Sequence, residues 1–336
     1  MPHLLPKLLF ALVMSSSVIA CGSSTSTTVS QDPQPPVPPL VYVALGASDA
    51  VGFNASVSCD GPADADGRQP RQSEPVDCPG GTGYVPLLAQ SLGADQVVNL
   101  GLTSAVIGPQ VRSLNQGRAP ADILTDQVPR IPADATLLTL WTGNNDTTQI
   151  ALATASAVLQ GEDAAPLIAQ QVGIFGAEYQ TLLTSIEQQA PNARLVVANI
   201  PNFALTPVGQ SQPASIQLLL REISVAINQE VINQLAQQGI PVVDVGCDPF
   251  TYETSSFFPG PWADGFHPND LGYARLAELF LNGIQSPTMP AQCSFQDLGR
   301  QDLGRQDLGR QDLGRTVKGS LADLNLAELE AFVAEH

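Results

Sequence analysis

The chain has 336 residues, 43% of them hydrophobic, and sets 14 basic against 32 acidic side chains for a net charge of −18. There is enough apolar material for one large core with appendages. There is no basic patch to hold a phosphate backbone, which argues against a nucleic-acid partner.

Residues 1–20 read as an export signal: Lys7 gives the positive start, Leu8 to Val13 the apolar centre, and Val18-Ile19-Ala20 the residues before Cys21. The apolar run is too short to span a bilayer. Val18-Ile19-Ala20-Cys21-Gly22 is similar to a bacterial lipobox, which implies an extracytoplasmic protein held at the cell envelope by lipid on Cys21; secretion with cleavage nearby is the alternative. Residues 21–40 are Ser/Thr-rich and then Pro-rich, with almost nothing to bury, and form a tether.

The folded domain is expected over residues 41–293. Val41 to Leu45 is an apolar, β-branched and aromatic run of the buried-strand kind, stopped by Gly46-Ala47-Ser48-Asp49-Ala50. Ser48 then stands at a strand's carboxyl end, where open α/β sheets bind ligands; capping the next helix is its ordinary alternative role. Asn54 to Gly83 is a long Gly/Pro/Asp-rich loop. The pattern then predicts a helix over Tyr84 to Leu92, a strand over Gln96 to Leu100 and a strand over Thr136 to Trp141. Helices follow over Thr147 to Leu159 and Ala165 to Gln189, then a strand over Arg194 to Ile200. A long helix from Ser215 to Gln238, a fifth strand over Ile240 to Val245 and a closing helix over Asp270 to Leu281 complete the domain. Strands alternating with helices imply a parallel sheet covered on both faces, a doubly wound α/β domain of the flavodoxin-like kind.

Beyond it, Gln-Asp-Leu-Gly-Arg repeats four times from Gln296 to Arg315, and the stretch 294–315 reads as a flexible spacer. Within 316–336, Ser320 to Glu335 has a capping-box start and apolar residues at helical spacing, so a short amphipathic helix docked back on the domain is expected.

Setting Cys21 aside, Cys59, Cys78, Cys247 and Cys293 make an even set suited to an oxidising compartment. Three pairings are open; local closure favours Cys59–Cys78 and Cys247–Cys293. Zinc is the rival, but no C-x-x-C pair or neighbouring His supports a metal.

His3 falls in the export segment and His336 is the last residue, leaving His267 as the imidazole of the folded body. Asp264 lies three residues earlier across a Gly-containing turn, within reach of the ring. A serine hydroxyl needs a base to become a nucleophile, imidazole titrates in the right range, and a carboxylate fixes its tautomer. The developing oxyanion needs preorganised donors; the Ser48 N–H, the Gly101 N–H and the Asn145 amide all follow strands.

Four blocks now stand in order: Gly46-Ala47-Ser48-Asp49, Asn99-Leu100-Gly101, Gly143-Asn144-Asn145-Asp146 and Asp264-x-x-His267. They resemble the GDSL/SGNH hydrolase family over roughly Val41 to Leu281. One departure is Ala47 before the serine and Asp49 after it, where the family commonly has Asp before and an apolar residue after. The resemblance implies a three-layer α/β/α sandwich, Ser48 as nucleophile, His267 as base, Asp264 as its orienter, Gly101 and Asn145 in the oxyanion hole, and no metal or organic cofactor. It also implies an ester substrate, whether a short acyl ester, an O-acetylated polysaccharide or a lipid. Phe257, Phe258 and Trp262 are expected to wall an apolar acyl pocket. An acyltransferase with the same residues, and a non-catalytic envelope-binding lipoprotein, are the competing readings.

Overall fold

The structure, a computed structural model, describes residues 38–59, 78, 80–115, 119–286 and 325–335. The export segment, Cys21, the tether up to residue 37, Cys293 and the pentapeptide repeats lie outside these residues. The chain divides into two units, Met1–Pro38 and Pro39–His336, and every helix and strand of the domain belongs to the second.

In chain order the elements are β1 (Val41–Gly46), α1 (Ser48–Val51), α2 (Tyr84–Leu92), β2 (Gln96–Asn99), α3 (Pro109–Ser113), α4 (Ile123–Asp126), β3 (Leu137–Trp141), α5 (Asn144–Leu159), α6 (Ala164–Gln189) and β4 (Arg194–Ala198). There follow α7 (Pro207–Gln210), α8 (Ala214–Ala226), β5 (Val242–Val243), α9 (Asp270–Gln285) and α10 (Leu326–Glu335). The strands form one five-stranded sheet in the order β2-β1-β3-β4-β5, all neighbours parallel. This is the flavodoxin-like order, whose chain reversal lies between β1 and β3. Every residue of β1 and β3 is buried, as in a sheet covered on both faces.

Right-handed crossovers send the β1-to-β2 connection to one face and the later ones to the other. Accordingly α2 packs with α9, while α5 packs with α6 and α8. The last helix, α10, lies on α5 and buries Leu329 and Phe332; residues 320–324, where its capping box was expected, lie outside the described residues.

Several element ends shift from the sequence expectation and α3, α4 and α7 are additional to it; three differences have a clear physical reason. Helix α5 begins at Asn144, three residues before the expected Thr147, because Gly143 turns the chain at φ 112 and the Asp146 side chain accepts the Gly143 N–H at 3.1 Å. The long helix after Pro213 is α-helical only to Ala226, then π over Ile227–Ile232 and 3-10 over Asn233–Gln238. Within the π stretch, Asn228 grips Ile200 by accepting its N–H at 3.0 Å and donating to its carbonyl at 2.6 Å. Strand β5 keeps two residues of the expected six, since Asp244 turns aside to take the Asn199 amide at 2.8 Å and Val245–Cys247 curls into a 3-10 turn.

Candidate active site

The carboxyl end of β1 is built to present one side chain. At Gly46 a Cβ would meet the Trp141 carbonyl oxygen at 2.9 Å and the Ala50 Cβ at 3.2 Å, so only glycine lets the chain turn this tightly. Gln127, fully buried, clamps that peptide by accepting the Gly46 N–H at 3.0 Å and donating to its carbonyl at 2.7 Å. Ala47 is the N-cap of α1, so Ser48 takes the first helical position and does not cap. Its hydroxyl is thereby free for another partner, and that partner is His267: Oγ lies 2.8 Å from Nε2.

The imidazole arrives from 219 residues away. Asn269 caps α9 by accepting the N–H groups of Leu271 and Gly272, which ends the preceding loop at a fixed point. Asp264 Oδ2 lies 2.5 Å from His267 Nδ1, while its Oδ1 accepts the backbone N–H groups of Phe266 and His267, each at 2.9 Å. Burial pushes this carboxyl up, but the charge and hydrogen bond of His267, with the two backbone donors, outweigh it and hold Asp264 well below the usual carboxylate range. Its second oxygen being fixed by two donors, the carboxylate can offer Nδ1 only an acceptor. Nδ1 therefore carries the proton and Nε2 faces the hydroxyl with its lone pair, the tautomer a base requires. Ser48 and His267 are 1% and 3% exposed, so the pair works out of bulk water.

The donors expected for an oxyanion hole are placed differently from one another. Asn145 sits in the first turn of α5, buried, and its Nδ2 donates to the Ala105 carbonyl at 2.9 Å, while its second amide hydrogen finds no partner among the described residues. Gly101 is a correction: its N–H is donated to Asn99 Oδ1 at 3.0 Å and is not available to a reacting group. Its glycine is needed for packing, because a Cβ there would meet the Ala50 Cβ at 2.8 Å and the Ala47 carbonyl at 3.1 Å. Three residues on, Ser104 is held in the left-handed region at φ 59, in a turn tied to the end of β1 by the Leu102 N–H on the Gly46 carbonyl. The N–H groups of Ser48 and Ser104 find no hydrogen-bond partner among the described residues. Nothing in the residue types around Ser104 marks it; its N–H is recognisable only from the turn.

Two further acids are buried, Asp49 next to Ser48 in the chain and Asp146 next to Asn145. Asp49, 4% exposed, accepts from Asn144 Nδ2 at 3.1 Å; burial raises its pKa, and the charge of His267 and the Asn144 amide only partly oppose that. Asp146 accepts from the Ile107 N–H, the Gly143 N–H and the Thr142 hydroxyl, anchoring the turn that carries Asn145. Burial, opposed by those three donors, leaves it pushed up to about 7.

Beside the dyad a small cavity of about 20 Å³ is lined by Asp49, Trp141, Phe203, Phe250, Phe257 and Phe266 among others. Phe257 thus lines it as expected. Phe258 and Trp262 do not: Phe258 packs over Gly265, and Trp262 stacks on Phe53 with ring centroids 5.4 Å apart. Cys59 is disulfide-bonded to Cys78, and the Cys59 N–H donates to the Val51 carbonyl, which ties the bridge to α1. Cys247 is also disulfide-bonded; Cys293, its expected partner, lies outside the described residues. Among the described residues no three His, Cys, Asp or Glu side chains converge as a metal set.

Among known proteins, the model of the GDSL-like lipase/acylhydrolase family matches residues 63–275, more than half of the chain; the match begins downstream of Ser48 and takes in Asn145, Asp264 and His267. No curated protein matches the chain. Among solved structures, the extracellular lipase from Streptomyces rimosus is 19% identical, over 74% of this chain and 100% of that one, with a TM-score of 0.45. The phospholipase A1 from Streptomyces albidoflavus is 16% identical over 74% and 100%, with a TM-score of 0.48. A family two carbohydrate esterase from Clostridium thermocellum, solved with cellohexaose, is 13% identical over 74% and 65%, with a TM-score of 0.40.

Proposed function

The chain belongs to the GDSL-like lipase/acylhydrolase family and is a carboxylic ester hydrolase, and on that premise we propose that it works through an acyl-enzyme on Ser48. The observation that carries this is the unbroken line Ser48 Oγ to His267 Nε2 at 2.8 Å and His267 Nδ1 to Asp264 Oδ2 at 2.5 Å. As Ser48 Oγ bonds to the ester carbonyl carbon, its proton passes to Nε2 and the carbonyl oxygen takes the negative charge. The Ser48 N–H, the Ser104 N–H and the free hydrogen of Asn145 Nδ2 are the donors that receive it. Collapse of the intermediate breaks the bond to the alcohol, which leaves with the proton from Nε2. Water then repeats the sequence, releasing the acid and restoring Ser48. Asp264 stays a carboxylate throughout and stabilises the imidazolium.

The aromatic lining beside the dyad favours a short, apolar acyl part. Residues 1–20 export the protein, Cys21 carries lipid, and residues 21–40 hold the domain off the membrane. Among the described residues no helix is long and apolar enough to cross a bilayer.

The test is hydrolysis of a short chromogenic ester by wild type and by Ser48→Ala. Loss on the order of 10⁶ in kcat is expected; equal turnover by the two proteins refutes the mechanism. Mass spectrometry of the mature N-terminus tests the anchor, and an unmodified start downstream of Cys21 refutes it.

A further inference from the structure

The nucleophile and the base sit on segments more than 200 residues apart, and a short stretch of chain joins them. Helix α1 ends at Gly52, at φ 83, and the next two residues, Phe53 and Asn54, turn back over the loop that carries His267. Asn54 is 1% exposed and stands in the left-handed region at φ 69, a conformation asparagine tolerates better than most side chains. All four hydrogen bonds of its side chain go to that one loop. Nδ2 donates to the His267 carbonyl at 2.9 Å and to the Phe257 carbonyl at 3.4 Å. Oδ1 accepts from the N–H of Trp262 at 2.8 Å and of Ala263 at 3.2 Å.

These contacts fall on the joints of the base. Ala263, immediately before Asp264, is itself forced into the left-handed region at φ 46, and Asn54 Oδ1 takes its N–H. At the other end, Asn54 Nδ2 holds the peptide of His267. The fit leaves no slack: a Cβ on Gly260 would lie 2.4 to 2.8 Å from the Asn54 amide atoms. Phe53 adds a ring 4.4 Å from the imidazole. Helix α9, which follows the loop, also reaches the same stretch through Tyr273, whose hydroxyl donates to the Phe53 carbonyl at 2.6 Å.

We infer that Asn54 is a positioning residue of this hydrolase, setting the distance and angle of His267 to Ser48 by clamping the base-bearing loop to the end of the nucleophile's helix. It touches no substrate and acts through His267 and the turn before Asp264. The inference rests on the reading of Ser48 and His267 as nucleophile and base. Displacing a catalytic group by about 1 Å costs about 10²-fold in rate, and a clamp on the base loop controls a displacement of that order.

Asn54→Gly keeps the left-handed backbone and deletes the clamp. At a temperature where circular dichroism shows the variant folded, kcat on a short chromogenic ester is expected to fall ten- to a hundredfold. KM should stay within threefold of wild type, and fluorophosphonate labelling of Ser48 should slow by the same factor as kcat. Asn54→Asp keeps the two accepted bonds but aims an oxygen at the carbonyls of His267 and Phe257, and is expected to lose kcat in the same way. A residue that only stabilised the fold would lower Tm and leave kcat of the folded protein alone. Either folded variant turning over within twofold of wild type overturns the inference. So does failure of both variants to fold, which would assign Asn54 to holding the domain together. If Ser48→Ala is inactive while Asn54→Gly keeps wild-type kcat, only this inference fails; if Ser48→Ala is fully active, the catalytic reading beneath it fails.

Discussion

Asp264→Asn is the substitution that asks most of the mechanism, because it changes one atom and leaves the shape alone. In the native site Oδ1 takes two backbone N–H groups and Oδ2 takes Nδ1–H. An asparagine in the same rotamer keeps its oxygen on the backbone donors and turns an amide N–H toward Nδ1. The ring must then accept at Nδ1 and carry its proton on Nε2, facing Ser48 as a donor, and it cannot take the hydroxyl proton. Flipping the amide restores the ring contact but sets its hydrogens against the N–H groups of Phe266 and His267. Both rotamers lose, so the expected cost is that of a triad with the wrong tautomer, on the order of 10⁴ in kcat, or about 5 kcal/mol of transition-state stabilisation. The assay is hydrolysis of a short ester by each purified protein near neutral pH, with thermal melts to show that the variant is folded. The stability side has a definite sign. Asp264 is held below its unfolded value, so its contribution is present above the ordinary carboxylate pKa and is lost as pH falls below it. The variant should therefore be less stable than wild type at neutral pH and approach it in acid. A folded Asp264→Asn protein working within tenfold of wild type would refute the tautomer argument.

Asn145→Ala removes one proposed oxyanion donor and should lower kcat by about 10² to 10³ with little change in KM; a rise in KM with kcat unchanged would place Asn145 in substrate binding instead. Asp146 has a folded pKa raised from 3.8 to about 7, so the native state binds the extra proton and wild-type stability declines as pH rises through that interval. Set against Asp146→Asn in urea titrations, wild type should lose on the order of 4 kcal/mol between pH 4 and 8; a difference that grows with pH would contradict the sign. Removing the Cys59–Cys78 bridge, whose partners are 19 residues apart, by the double serine variant should cost about 3 kcal/mol in the same titrations. No change would mean that the loop it closes is held by other contacts.

Much of the molecule is written locally. The apolar run of β1 meeting Gly46, helix α2 running from Tyr84 to its stop at Gly93, and the cap at Asn269 each depend on residues within a few positions, so periodicity and turn chemistry reveal them. Right-handed crossovers between such elements leave few sheets to choose from, which is why a parallel five-stranded order was legible. Ser48, Asp264 and His267 were legible for a similar reason: few arrangements explain a lone imidazole three residues after an acid and a serine at a strand end.

The oxyanion hole and the alignment of the base were decided elsewhere. A backbone N–H carries no residue-type signature, and whether it faces a substrate or a neighbouring side chain depends on packing between distant segments. Gly101 gives its N–H to Asn99 where the Ala50 Cβ and the Ala47 carbonyl press against it, and Ser104 stands in the left-handed region three residues on. Asn54 reads as an ordinary loop asparagine until the fold brings a segment from 203 to 213 residues away onto its amide. Sequence marked the groups proposed to carry the chemistry; tertiary structure alone decided which backbone donors and which clamp stand around them, since those placements belong to orientation and not to composition.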